Sequence, residues 1–441
     1  MPRRIFSGNA TRKRVGLGLA FLLLLAFLWE LRFHRPQEIL NHLRKLVYRW
    51  SAEPQHNIER VTFANSDGAG TPGNWEIIGG HGIKGSWDSH SIVRSMAIYE
   101  GNLLVGIGGM PKQTAEVWRF SDSFNSWHQI GGNGIGESWH EKRYGRVNVL
   151  LSDHQTLYAG IGTAHRAGDA ELWRYDGLKW RIIGGPNQGW EVNRYEIAYS
   201  AVIHDGNLYI GMTCEDNVGR ADVFRFDGTS WQKVGAFGKY NGIYKLETFQ
   251  GDLYAATWSR SLFGGTIWRL GQGGWQQVAG DGKLGSWSNP GIQFIQDLSV
   301  HDGYLIASVQ RDNDGDTSSV WAFNEGKWKQ VGVVPPEWQR DCTVFNSLET
   351  FKGTLCVGIG GGYGRASVWG LNGHDQWKLL GGFGINGSWS GIGETRRNRA
   401  KEWVYRLLSD GDSLYVGLAG NLPLDTAEVW RYRVSELTGG R

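Results

Sequence analysis

From residue 73 onward, apolar and polar residues alternate in runs of roughly five to eight positions, the period of half-buried strands. Paired turn residues punctuate the runs. Glu100-Gly101, Asp205-Gly206, Gln250-Gly251, Asp302-Gly303 and Lys352-Gly353 close one kind of hairpin, and Asp176-Gly177, Asp227-Gly228 and Glu325-Gly326 close another. Such pairs tolerate positive φ and make tight turns. A four-strand unit results, exemplified by SMAIYEG, NLLVGIGG, AEVWRF and SWHQIGG between Ser95 and Gly132.

Two phrases track the recurrence of this unit. A Trp followed by alternating and then small residues begins at Trp75, Trp127, Trp180, Trp231, Trp275, Trp328 and Trp377. An apolar-aromatic-Arg-aromatic phrase is centred on Trp118, Trp173, Phe224, Trp268, Trp321, Trp369 and Trp430. The first phrase precedes every copy of the second, and the last copy of the second has no Trp phrase after it. This offset predicts a closed ring in which residues 73–80 supply the outer strand of the last unit, leaving no open joint. The second-phrase centres lie 55, 51, 44, 53, 48 and 61 residues apart, a spacing suited to propeller blades with variable loops. The expected fold is all-β, a seven-bladed β-propeller closed by an N-terminal strand and spanning 73–434, with a short tail at 435–441.

Within the first strand of each unit, Met96, Leu150, Ala201, Leu246, Leu298, Leu348 and Leu407 occupy one equivalent, uniformly apolar position. That position belongs to the core between neighbouring units. The flanking positions include Lys245, Glu247, Asp297, Ser299, Glu349 and Arg406. Charges there need partners or water, which predicts an aqueous central channel. Glu247, Asp297 and Glu349 are its candidate acid/base residues, with ordinary channel lining as the plainer reading.

The segments AEVWRF, AELWRY and AEVWRY, preceded by LYAGIG or LYVGLAG and followed by DG-x-x-W, resemble a bacterial propeller repeat of the Kelch-like and sialidase-like kind. The resemblance covers residues 73–434 and implies architecture rather than activity, since such folds host many functions. Phe224 departs from the repeat's Trp, and SDSFNSW (121–127) only loosely echoes a sialidase Asp-box. No arginine triad is carried over.

The N-terminus differs in character. Residues 1–50 hold ten Lys/Arg against two acids, leaving 36 basic and 41 acidic residues in the rest. The mildly acidic body argues against nucleic acid as partner. Residues 1–14 read as a basic cytoplasmic tail, and 15–33 as an uncleaved transmembrane signal anchor. Residues 34–72 read as a juxtamembrane amphipathic helix and linker. The chain is thus expected to be a single-pass membrane protein with its propeller periplasmic or extracellular. Cys342 and Cys356 are close enough in sequence to pair, although free buried thiols are an equal reading.

Hairpin turns are tight on one face, so the long connections on the other are where function is expected. There GGHGIKGSWD, GGNGIGESWH, GDGKLGSW and GGFGINGSWS recur, with degenerate copies. They bring Trp87, Trp139, Trp190, Trp287, Trp338 and Trp389 to one mouth, either as platforms for sugar rings or, more plainly, as wedges between blades. Arg94, Arg146 and Arg194 follow the loops, and Arg396, Arg397 and Arg399 fall in the insertion GIGETRRNRAKEW (391–403). They suit carboxylate, sulfate or phosphate, or else salt bridges between blades. Asp312, Asp314 and Asp316 in RDNDGDTSS have the spacing of half a calcium loop; a solvated acidic turn is the plainer reading. No other cofactor is expected, and no HExxH, GxSxG, P-loop or CxxC pair occurs. The leading expectation is a non-catalytic binding module for a glycan or an envelope protein. The alternatives are a carbohydrate-active hydrolase or lyase on acidic sugars, and an assembly scaffold for an envelope polysaccharide complex.

Overall fold

The computed structural model describes residues 60–434 except 62, 64–72, 110–113, 141–143, 154, 165, 167, 217–218, 260–263, 289–291, 312–317, 340–343, 362–365, 390–400, 402 and 421–425. The expected calcium residues Asp312, Asp314 and Asp316, the arginines 396, 397 and 399, and Cys342 lie outside the described residues, as do the segments 1–33 and most of 34–72. The expected membrane location is corrected: among the described residues no helix is long and apolar enough to cross a membrane. What is described is strand and turn, with helix only as short 3-10 segments.

Alternating sequence folds into antiparallel meanders, as its period requires. The first unit pairs Ile92–Tyr99, Asn102–Gly108, Glu116–Ser121 and Ser126–Gly131 in order. Equivalent units span 146–184, 197–237, 242–279, 292–331 and 344–381. The seventh runs from Trp403 to Val434, and its fourth strand is Gly73–Gly79, antiparallel to Glu428–Val434 with Trp75 opposite Tyr432. The first strands pack on one another in sequence, and Trp403–Ser409 packs back on Ile92–Tyr99, so the series closes. Arg60–Val61 adds a short parallel strand to Lys327–Val331.

Seven apolar clusters fill the wedges between neighbouring units. One joins Phe249, Tyr254 and Val278 of the fourth unit to Ile295, Leu298 and Trp328 of the fifth. Each buried aliphatic side chain contributes about 1.5–3 kcal/mol by leaving water. The Trp phrase supplies the stitch between units. Trp127 donates its indole N–H to the Ile78 carbonyl at 2.6 Å, and Trp180 to Ile130 at 2.7 Å. Trp231, Trp275, Trp328 and Trp75 do the same to Ile183, Val234, Val278 and Leu380. The small residue ending the phrase makes room for the ring: a Cβ on Gly131 would sit 3.0 Å from the Trp180 indole nitrogen.

Candidate functional site

Each of the seven first strands carries a β-bulge at the same place. Pairing skips one residue between Val93 and Ser95, and likewise in every other unit. The skipped residues are Arg94, Asn148, Tyr199, Tyr244, Gln296, Asn346 and Tyr405. All seven side chains carry a hydrogen-bonding group, whereas the equivalent position two residues later is apolar throughout. A bulge unpairs one residue and twists the strand, which re-aims its side chain. Repeated seven times around a ring, it places a polar collar at the axis.

A cavity of about 250 Å³ lies there, and every first strand contributes to its wall. Asn148, Tyr199 and Tyr244 line it from the collar. Lys245, Asp297 and Arg406 line it from the next position, and Glu247 and Glu349 from farther along. Three residues of strand separate the collar from these two glutamates, roughly 10 Å.

The deep end is an acid cluster around one ammonium. Lys245 Nζ lies 3.0 Å from Asp297 Oδ1 and 4.0 Å from Glu247 Oε2. Asp297 also accepts the Leu348 N–H of the next unit at 2.9 Å, so it braces two units as well as the lysine. Burial opposes the charge on Lys245, but Asp297 and Glu247 overcome it and hold the ammonium above the usual lysine range. Burial raises the Glu247 carboxyl, with Lys245 partly offsetting it. Burial also pushes Glu349 up to about 7, against the hydrogen bond it accepts from the Thr350 N–H.

The collar end is cationic and aromatic. Arg146 is paired with Glu215 at 2.8 Å. Arg94 donates to the Tyr405 hydroxyl at 2.8 Å, and its guanidinium lies 4.8 Å from that ring's centre. Tyr199 stacks on Tyr244 at 4.4 Å, and Tyr244 stacks in turn on Trp258 and Phe294. Burial raises both phenols, Tyr244 well above the usual tyrosine range. Arg406 donates its Nε–H to the Arg94 carbonyl at 2.8 Å, tying the seventh unit to the first.

Among the residues singled out from sequence, Glu247, Asp297 and Glu349 come together in this cavity, Arg94 takes the first unit's bulge position, and Arg146 lies two residues before that of the second. Arg194 does not join them. It pairs with Glu191 at 3.0 Å and Asp222 at 3.3 Å, a link within the wall of the ring. The six loop tryptophans are also placed elsewhere. Trp87, Trp139, Trp190, Trp287, Trp338 and Trp389 are all buried, at 5% exposure or less. Trp87, Trp139, Trp287 and Trp389 give their indole N–H to Ala427, Ala115, Gly265 and Ala366 carbonyls. Five of the six loop tryptophans pack edge-on against a Trp-phrase ring, as Trp139 does on Trp180 at 5.5 Å, and Trp338 lies tilted on Trp377 at 5.1 Å. The sugar-platform reading is corrected accordingly: a ring inside the wall has no face for a ligand.

The cysteine expectation resolves as well. Cys356 is a free, buried thiol. His90 is buried, its Nε2 3.6 Å from Glu116, and burial lowers its pKa. No group of three or more His, Cys, Asp or Glu able to hold a metal occurs among the described residues. The collar residues Asn148, Tyr199, Tyr244 and Tyr405 were missed from sequence. Their signal was a polar residue two places before the apolar position in every unit, which strict alternation assigns to the same buried face.

No protein-family profile and no curated protein matches the chain. Two solved structures of an ulvan lyase from polysaccharide lyase family PL25 are similar to it at 11% sequence identity and a TM-score of 0.48, covering 85% of this chain and 96% of theirs. One of them is bound to -[GlcA(1-4)Rha3S]-. A likeness this distant assigns neither chemistry nor substrate to this chain.

Proposed function

We propose that the seven units are the blades of a β-propeller, and that the axial cavity is the active site of a carbohydrate-active enzyme. The observation that carries this reading is the pair of half-buried carboxyl groups, Glu247 and Glu349, in a polar cavity with Lys245 and Asp297. Glu349, with its midpoint raised to about 7, exists in both protonation states near neutrality. That is the condition for a general acid or base at that pH. Hydroxyl, amide and aromatic side chains share the rest of the wall with aliphatic ones, a lining suited to a sugar's alternating hydroxyls and apolar faces. The cavity has room for about one sugar unit.

The test is incubation with a panel of neutral and acidic polysaccharides. New reducing ends report any chain cleavage, and ultraviolet absorbance of an unsaturated sugar reports elimination alone. Cleavage of at least one glycan is expected, with Glu349→Gln and Glu247→Gln each lowering kcat by about 100-fold or more while the fold is retained. Glycan binding without new reducing ends across the panel would reverse the reading in favour of a non-catalytic binding module.

A further inference from the structure

Arg94 is 6% exposed and makes no ion pair among the described residues. Its neighbour Arg146 has Glu215, and Arg194 has Glu191 and Asp222. Among the described residues Arg94 touches only a phenol, through Nη1 and the ring face, with Glu215 acting on it from beyond ion-pair distance, and its Nε–H has no hydrogen-bond partner. A guanidinium withdrawn from water without a counter-charge is a large local penalty. Burial lowers its pKa, as an uncompensated cation requires.

The next collar position holds a second unsatisfied group. Asn148 is 5% exposed and lines the cavity, yet neither its amide nitrogen nor its amide oxygen has a partner. Buried polar atoms are normally paired, and each one left orphaned carries its full desolvation penalty. Here a cation's N–H, an amide donor and an amide acceptor are left free at adjacent collar positions.

We infer that Arg94 and Asn148 form a seat for the carboxylate of a uronic-acid unit. This rests on the reading of the cavity as a sugar site and names the class of sugar. The carboxylate neutralises Arg94 and accepts from its Nε–H and from the Asn148 amide. The Asn148 oxygen remains, and it needs a donor. Sulfate and a bare carboxylate lack one, whereas a sugar hydroxyl beside the carboxylate supplies it. Only a group carrying both functions satisfies all three orphaned positions. Glu247 and Glu349 lie farther along the channel, so their acidity does not repel the seated anion at close range.

Calorimetric or NMR titration of the full chain with glucuronate, glucose, acetate and sulfate tests the seat. Glucuronate is expected to bind at least about tenfold more tightly than glucose, with acetate weaker than glucuronate and sulfate not competing. Arg94→Met should abolish the preference for glucuronate, and Asn148→Leu should weaken glucuronate binding by about tenfold. Without ligand, Arg94→Met should raise the melting temperature by about 2 °C, because it removes an unpaired buried charge. A lower melting temperature, equal binding of glucose, or sulfate competing as well as glucuronate overturns the seat. Cleavage restricted to neutral glycans would overturn the seat but keep the enzyme. Arg94-dependent glucuronate binding with no cleavage of any glycan would keep the seat and overturn the enzyme.

Discussion

The tryptophans of the repeated phrase look alike in sequence but differ in one bond. Six of the seven give their indole N–H to the preceding unit, whereas the Trp377 nitrogen has no partner. Trp127→Phe should therefore destabilise the protein by about 1–2 kcal/mol, through the carbonyl it leaves unpaired at Ile78. Trp377→Phe gives up ring packing but no hydrogen bond, so it should cost about 1 kcal/mol less than Trp127→Phe. Chemical denaturation of both variants measures the contrast, and equal losses would refute it. Glu349 provides a second residue-level prediction. Its folded pKa stands above the unfolded value, so its contribution to stability is complete below about 4.5 and is lost as pH rises through about 7. Glu349→Gln should match the parent near pH 4.5 and exceed it in stability above pH 7. The difference should be on the order of 2 kcal/mol, allowing for water in the channel. Stability curves at several pH values decide it.

At the scale of elements, the bulge is the device that turns a strand's first turns toward chemistry. A regular first strand would send alternate residues to the wedge and to the axis. The skipped residue breaks that count, so Asn148 and Val149, or Tyr244 and Lys245, line the cavity in succession. Period-two reading therefore located the deep carboxylates, which lie beyond the bulge, and overlooked the tyrosines at it. The hairpins were legible because Asp-Gly and its analogues have a local conformational signature: Asp205, Gln250, Asp302 and Lys352 all adopt positive φ. The closing strand is the other decisive element. Deleting Gly73–Gly79 exposes Glu428–Val434 as an edge and strips Trp75 and Ile78 from two apolar clusters. The melting temperature should fall by roughly 10 °C or more, with loss of a single cooperative transition.

At the scale of the whole molecule, closure depends on which strands meet, not on where the chain begins. Gly73 lies opposite Val434 in the closing pair. Moving residues 73–79 to follow Val434 through a short turn should therefore restore the melting temperature lost on deletion, to within about 3 °C. Failure of this permuted chain to regain a single transition would show that the closing strand needs what precedes it. The ring also explains the segregation of charge. Arg94 and Arg146 come from the first two units, whereas Lys245, Asp297 and Glu349 come from the fourth, fifth and sixth, so no single unit contains the site.

Sequence by itself determined the strands, the hairpins, the unit and the offset that closes the ring, because each depends on local period and turn chemistry. It also named Glu247, Asp297, Glu349, Arg94 and Arg146, since a charge on a first strand must find the axis or a partner. Tertiary structure alone decided which tryptophans have a free face, and none of the six in the loops does. It alone showed that Arg146 has a counter-ion in contact and that Arg94, among the described residues, has none. Those outcomes depend on contacts between residues tens to hundreds of positions apart, where burial and pairing are set by the packed ring.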